Sequence, residues 1–290
     1  MRKSFLTGLL TSLTLSLALA QSSKVAPFTT FSTTRNINSQ SVETLKKKNL
    51  DFRVTHRFGD ISGSDGGFHN WWGLDNSSDI RIAFEYGLSD NLMIGLGRSK
   101  GSGTVVEIID GFIKYRVLTQ GNEGGSPVSV TFVETSSATA MKASTDLASG
   151  ANVDNFTKRL TYTSELLIAR KFGSRFSAQL MPLFQHRNFV SSNDENNLLA
   201  VGFAGRMKMT KVFALSAEYF LVAGNDTRSG GVFSNPLSFG LEMDLGGHVF
   251  QIDLTNAKGI GENQFIPYTG SLWRDGQYRL GFTISRPFKL

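Results

Sequence analysis

From Leu50 to Phe288 the chain alternates apolar and polar residues with a period of two, over and over, and that pattern constrains the fold more than anything else in it. Residues 79–99 hold one complete unit. Ile80, Ile82, Phe84 and Tyr86 alternate with Arg81, Ala83 and Glu85, giving a strand with one apolar and one polar face. Gly, Ser, Asp and Asn in 87–91 supply a turn, after which Leu92, Ile94 and Leu96 restart the apolar row. No later stretch has the roughly 18 uninterrupted apolar residues of a membrane helix. A chain of this pattern enters a membrane only as a closed barrel, because open strand edges are not satisfied in lipid.

Twelve such segments are predicted, at 50–57, 79–86, 92–99, 108–118, 128–134, 157–172, 176–188, 198–209, 213–222, 237–245, 248–257 and 277–288. An even number brings both ends of a single-chain barrel to one side, and such barrels have short periplasmic turns and longer external loops. The connections sort by parity in that way. Those at 87–91, 173–175, 210–212 and 246–247 are tight, with 119–127 an exception, whereas 59–78, 135–156, 223–236 and 258–276 are long. A β-sandwich has no reason to sort its loops so. The expected fold class is all-β, an antiparallel transmembrane β-barrel of about 12 strands over residues 50–290.

Arg2 and Lys3, a leucine-rich run and Ala18-Leu19-Ala20 before Gln21 read as a secretory signal peptide over 1–20. Its loss removes no acidic residue and lowers the formal net charge from +6 to +4, too mild and dispersed for nucleic acid. The absence of cysteine excludes a lipoprotein anchor, disulfides and thiol chemistry. Residues 21–49 lack alternation and read either as an N-terminal periplasmic extension, with a short helix over 41–48, as a lumen plug, or as a disordered leader.

The outer row includes Leu160, Tyr162, Leu166, Ile168, Phe176, Leu180, Phe184, Phe213, Leu215 and Leu221. The row facing the lumen carries Arg53, Arg57, Arg81, Glu85, Arg159, Glu165, Arg206, Glu218, Glu242, Asp244, Asp253 and Arg279. With both signs inside, these residues either line water or neutralise one another in a network that closes the lumen. The last strand, with Tyr278, Leu280, Phe282, Ile284 and a near-terminal Phe288, resembles the signal by which outer-membrane barrels are recognised for assembly, from which Pro287, Lys289 and Leu290 depart.

His56-Arg57-Phe58-Gly59, Gly73-Leu74-Asp75, Glu85-Tyr86-Gly87, Gly97-Arg98-Ser99 and Lys114-Tyr115, with the leader Arg35-Asn36-Ile37-Asn38, resemble a Bacteroidota-type outer-membrane β-barrel family of unassigned function. The resemblance covers most of the mature chain. It implies the barrel and an outer-membrane location and offers no catalytic residue.

Other constellations compete with simpler readings. Ser164 and His186 on the outer face resemble the serine and histidine of outer-membrane phospholipases, but no surrounding motif accompanies them. Asp60, Ser62, Ser64 and Asp65 offer oxygen ligands, yet Trp71 stands where a calcium loop places its bidentate Glu. His69 and His248 form no cluster, so neither a metal nor a cofactor is called for. Phe68, Trp71 and Trp72, with Phe265, Tyr268 and Trp273, read as interfacial anchors or as a surface for sugars or a protein.

Three functions are therefore expected in order: passive passage or binding of small solutes through a polar lumen, a closed barrel serving as a structural or accessory subunit of an envelope complex, and a lipid-facing hydrolase. The implied partners are outer-membrane lipid, the barrel-assembly machinery during biogenesis and an envelope protein, with no nucleic acid.

Overall fold

The alternating segments close into one barrel of twelve strands. In chain order they are β1 (Asn49–Asp60), β2 (Ser77–Gly87), β3 (Leu92–Ser99), β4 (Ile108–Leu118), β5 (Ser129–Thr139), β6 (Leu160–Lys171), β7 (Phe176–Arg187), β8 (Asn197–Lys208), β9 (Phe213–Val222), β10 (Leu237–Asp244), β11 (Val249–Thr255) and β12 (Arg279–Lys289). The computed structural model describes residues 28–101, 103–121, 125–146 and 149–290. The signal peptide read at 1–20 and the start of the extension at 21–27 lie outside the described residues.

Every strand is antiparallel to its neighbours, and β12 closes on β1 with Leu50 opposite Phe288 and Val54 opposite Ile284. Closure pairs every strand edge, which lipid demands of a spanning sheet. Phe52, Phe84, Leu96, Ile113, Leu199, Phe203, Leu215 and Ile252 stand exposed on the outside, as the two-residue period requires.

Two boundaries differ from expectation. β5 continues through Thr139 where the pattern ended at residue 134, because Ser136 and Ser137 pair across to Tyr162 and Thr161. Residues 157–159 form a 3-10 turn before β6, so Arg159 lies outside the strand.

The inner wall has two characters. Over β5–β9 it carries most of an apolar cluster: Val133, Leu167, Met181, Leu183, Ala200 and Phe220 are buried together among mostly uncharged Ser, Thr and Gln side chains. From β10 through β12 and on to β4 it is largely charged, with Asp253, Arg279, Arg53, Arg57, Arg81, Glu85, Asp110 and Lys114 all buried. Met93 and Phe112 on the charged side, and Glu165, Arg187 and Glu218 on the apolar side, depart from this division.

Both arcs are covered from within. Residues 28–48, expected as an extension, a plug or a disordered leader, run inside the barrel as a hairpin whose two legs leave at the short-turn end. The first leg is held where Phe28 N–H donates to Gln120 O (3.0 Å) and Lys171 donates to Thr29 O (3.0 Å). The tip turns at Asn36–Ser39, with Arg35 bridged antiparallel to Gln40. On the return leg Thr44 donates to Asp90 O (2.7 Å) and Lys48 N–H to Gly87 O (2.9 Å). A Cβ at Gly87 would stand 2.2 Å from Lys46 O, so only glycine lets this leg pass. The short helix expected over 41–48 is absent: Val42 N–H donates to Gln179 (2.8 Å) and Lys47 N–H to Asp90 (2.9 Å), partners that a helical turn would forgo.

From the long-loop end, the β11–β12 connection dips into the lumen and carries the helix α1 (Glu262–Tyr268). Phe265 packs edge-on against Phe220 at 5.3 Å between ring centroids. Phe220 itself lies directly across from Gly202, where an added Cβ would stand 2.4 Å from the ring. Phe31, Val42 and Leu45 of the hairpin and Phe265 and Ile266 of α1 complete the cluster on the apolar arc. Each side chain of this size that is fully buried contributes roughly 1.5–3 kcal/mol relative to exposure.

Candidate functional site

The lumen gathers most of the ionisable side chains that sequence alternation placed on the inner row, and the hairpin bonds many of them. Arg53 donates to Thr34 Oγ1 (3.0 Å) and Asp51 (3.1 Å) and approaches Glu85 at 3.8 Å. Glu85 accepts from the Thr34 hydroxyl. Arg57 reaches both inserts: it donates to Asn38 Oδ1 (2.6 Å) in the hairpin and to the carbonyls of Ala257 and Gly259 beyond β11, with Asp253 at 3.9 Å. Arg81 forms a two-pronged pair with Asp110 (3.0 and 2.5 Å). Arg206 pairs with Glu242 (2.7 Å), which also accepts from Ser32. Glu218 takes the backbone N–H groups of Asn38 and Ser39 and the Ser39 hydroxyl (2.6 Å). Arg279 pairs with Asp60 and donates to Ser271 Oγ (3.1 Å).

Three of the predicted lumen residues stand apart. Arg159, displaced by its 3-10 turn, donates to Thr139 O (3.1 Å) and Met141 O (2.7 Å) and caps the end of β5 instead of lining the lumen. Asp244 sits half-buried at the short-turn rim and accepts from Gly246 N–H (3.0 Å). Glu165 is fully buried, and neither of its carboxylate oxygens has a hydrogen-bond partner.

Other groups complete the network. Asp51, Asp110 and Lys114 lie on the polar rows of their strands, a signal the alternation already carries. Arg35 and Glu262 do not, because neither belongs to an alternating segment. They meet at mid-lumen in a buried ion pair that joins the hairpin to α1. A cavity of about 320 Å³ remains at the long-loop end, lined among others by Asp65, Lys258, Gln264 and Tyr268. Another of about 220 Å³ lies at the short-turn end, beside Glu43, Asp51 and Arg116.

Across the long-loop end, Asp194 in the β7–β8 connection accepts two bonds from Arg187 (2.9 and 3.0 Å) and one from Arg228 (3.0 Å). Arg228 also donates to Pro267 O of α1, so this carboxylate latches two loops over the helix. Burial alone would raise the Asp194 carboxyl, but the Arg187 guanidinium, the Glu195 N–H and Arg228 outweigh it and hold Asp194 below the usual carboxylate range.

The remaining candidates separate. Trp71, 58% exposed, and Trp72 both adopt left-handed backbone angles (φ 47° and 52°), with Phe68 edge-on to Trp72 at 5.5 Å. Trp273 stacks on Tyr278 at 4.8 Å and donates its indole N–H to Leu237 O (3.1 Å). Phe265 and Tyr268 belong to α1 and not to a surface loop with them, which corrects the sequence reading. Ser164 donates to Glu134 (2.5 Å) and His186 contacts Asn197 (2.6 Å), so neither activates the other. Asp60, drawn off by Arg279, contributes to no metal cluster, and none is present among the described residues.

Several solved structures are similar in their barrel. The NanC porin is 8% identical, with 83% of this chain and 100% of that one covered at a TM-score of 0.48. An outer membrane channel from Pseudomonas putida F1 is 13% identical over 85% and 98% of the two chains, also at 0.48. Omp33 from Acinetobacter baumannii is 8% identical over 84% and 99%, at 0.42. No curated protein sequence matches the chain. A family model described as "Membrane bound beta barrel domain (DUF5777)" matches residues 31–288, from the inner hairpin to the closing strand, and the chain belongs to that family.

Proposed function

We propose that this chain is an outer-membrane barrel that rests closed and serves an envelope complex as a structural or accessory subunit, its short turns in the periplasm and its long loops outside. The observation that carries the reading is the filled lumen. The hairpin from one end and α1 from the other meet at Arg35 and Glu262, and both pack on the apolar arc. A freely conducting pore needs a hydrated path, and here Arg57, Lys114, Glu85 and Glu165 are all buried. The leader and the motifs around His56 and Gly97 fit a Bacteroidota-type member of the family. The terminal aromatic strand fits delivery by the barrel-assembly machinery.

Full-length mature protein in planar bilayers is expected to give no steady current. A stable open conductance would overturn the closed reading.

A second reading, passage of small solutes, is favoured by how the hairpin is attached. It is continuous with β1 at one end only, and its tip is held by polar contacts that water can replace. Withdrawal toward the short turns would expose the charged arc from β10 round to β4. The chain has no cysteine, so Asn38→Cys with Ser238→Cys, at side chains now 2.8 Å apart, gives a clean lock. Solute uptake into vesicles that stops on oxidation and resumes on reduction is the result expected of passage; uptake indifferent to the lock removes this reading.

A further inference from the structure

At mid-lumen three carboxylates converge from three elements: Glu165 on β6, Glu218 on β9 and Glu262 on α1. The charged groups that surround Glu165 are Glu262, Arg35, Lys114 and Glu218. Glu218 is satisfied by hairpin N–H and O–H donors, and Glu262 by the Arg35 guanidinium. Glu165 has no hydrogen-bond partner on either oxygen although it is 1% exposed. Lys114, a wall cation that faces it, is turned to the hairpin instead, donating to Thr34 O (2.7 Å) and Gln40 Oε1 (3.3 Å). Glu85 on β2 is already matched by Arg53 and Thr34. Arg81 also faces Glu262 and Arg57 faces Glu218, but these two arginines are paired with Asp110 and Asp253, so of the three carboxylates Glu165 alone is left without a donor, and Arg35, one of the two cations that face it, arrives on the hairpin.

A buried carboxylate without donors is costly, and a fold keeps one where something else meets it. No group of three acidic or histidine side chains has metal-holding geometry among the described residues, which points away from a small hard ion. A planar, weakly hydrated cation with several N–H donors suits carboxylates that lie in different directions.

We propose that the cluster of Glu165, Glu218 and Glu262 is a binding site for organic cations of the guanidinium or ammonium class, and that Arg35, paired with Glu262, is a tethered ligand of it. A free cation of this class competes with Arg35 and loosens the hairpin tip. The site exists whether the barrel conducts or serves as a closed subunit.

The test is chemical rescue in the mature full chain folded in detergent. Arg35→Ala is expected to lower the melting temperature by roughly 6–12 °C, as loss of one partner of a buried pair does in a chain of this size. Methylguanidinium should restore at least half of that shift, sodium chloride at matched ionic strength should not, and Arg35→Ala with Glu262→Gln should lose the rescue. Equal effects of the two salts, or rescue that survives Glu262→Gln, would overturn the site. If Arg35→Ala does not fold, Ser41→Cys in the otherwise native chain reads the same competition, since Ser41 is fully buried in the hairpin. Methylguanidinium should speed its modification by a maleimide several-fold over matched sodium chloride; no acceleration rejects the proposal.

Discussion

The two arcs of the inner wall hold the same two inserts by different mixtures of forces: β5–β9 bonds the hairpin through Gln179 and Glu218 but also carries most of the apolar cluster, whereas the other arc holds it almost wholly by polar bonds. Over β5–β9, Leu167, Met181, Leu183 and Phe220 bury Phe31, Val42, Leu45, Phe265 and Ile266 in a dry cluster like that of a soluble domain. From β10 round to β4, Arg53, Arg57, Lys114 and Glu85 hold the hairpin by directed bonds to its hydroxyls, amides and carbonyls. Packing on the first arc is non-directional and tolerates a small slide, whereas each bond on the second fixes one atom against one partner. The apolar arc supplies much of the adhesion, and the charged arc sets the register at which the hairpin stops.

That division predicts unequal mutants. The largest effect belongs to Arg57→Ala, because Arg57 bonds both inserts and its loss leaves Asp253 and the side-chain oxygen of Asn38 unpaired. A cost of about 3–5 kcal/mol is expected in denaturant unfolding from detergent, with faster proteolysis at both Lys46–Lys48 and Lys258. Equal protection of either insert in the mutant and the native protein would show that Arg57 does not tie the two inserts to the wall. Phe220→Ala on the other arc is expected to cost about 3 kcal/mol and to loosen the β11–β12 insert while the hairpin tip keeps its bonds to Glu218 and Arg57. Cleavage at Lys258 alone sharpens the distinction; cleavage at both sites erases it.

A third, smaller effect is pH-dependent. Asp194 in the folded protein titrates below its ordinary value of about 3.9, so the stability it confers is complete above that pH and is lost as pH falls through the folded value. Melting between pH 7 and 5 should be flat for this group, with loop loosening setting in below about pH 4. Asp194→Asn should cost about 2 kcal/mol at neutral pH and remove that acid step. Trp71→Gly is expected to have the least effect. It frees a bulky residue from a left-handed angle and gains less than about 1 kcal/mol, with no change in hairpin proteolysis.

Much of this architecture is legible in particular residues. Ile80, Ile82, Phe84 and Tyr86 announce a lipid-facing row, and Arg81 and Glu85 stand on the row that the barrel buries. The parity of the connections sorts the short turns to one end of the barrel and the long loops to the other. Misreadings fall where alternation and burial part company. Arg159 looks like the next inner residue of β6, but one 3-10 turn removes it from the row. Phe265 and Tyr268 look like loop aromatics akin to Trp273, and nothing local reveals that their loop turns inward. Residues 41–48 have the lysines of a helix end, yet their backbone donors find Gln179 on the wall and Asp90 in the β2–β3 turn.

The sequence by itself determined the barrel. A two-residue period, an even strand count and sorted loop lengths are local properties, and lipid leaves such a chain one way to satisfy its backbone. What fills the barrel follows from the tertiary fold alone. Arg35 and Glu262 are 227 residues apart and outside any periodic pattern, and their meeting at mid-lumen depends on how far two inserts reach from opposite ends. The same polar row, Arg53 to Arg279, lines water or closes on itself according to what fills the space between, and no spacing along the chain records that distance.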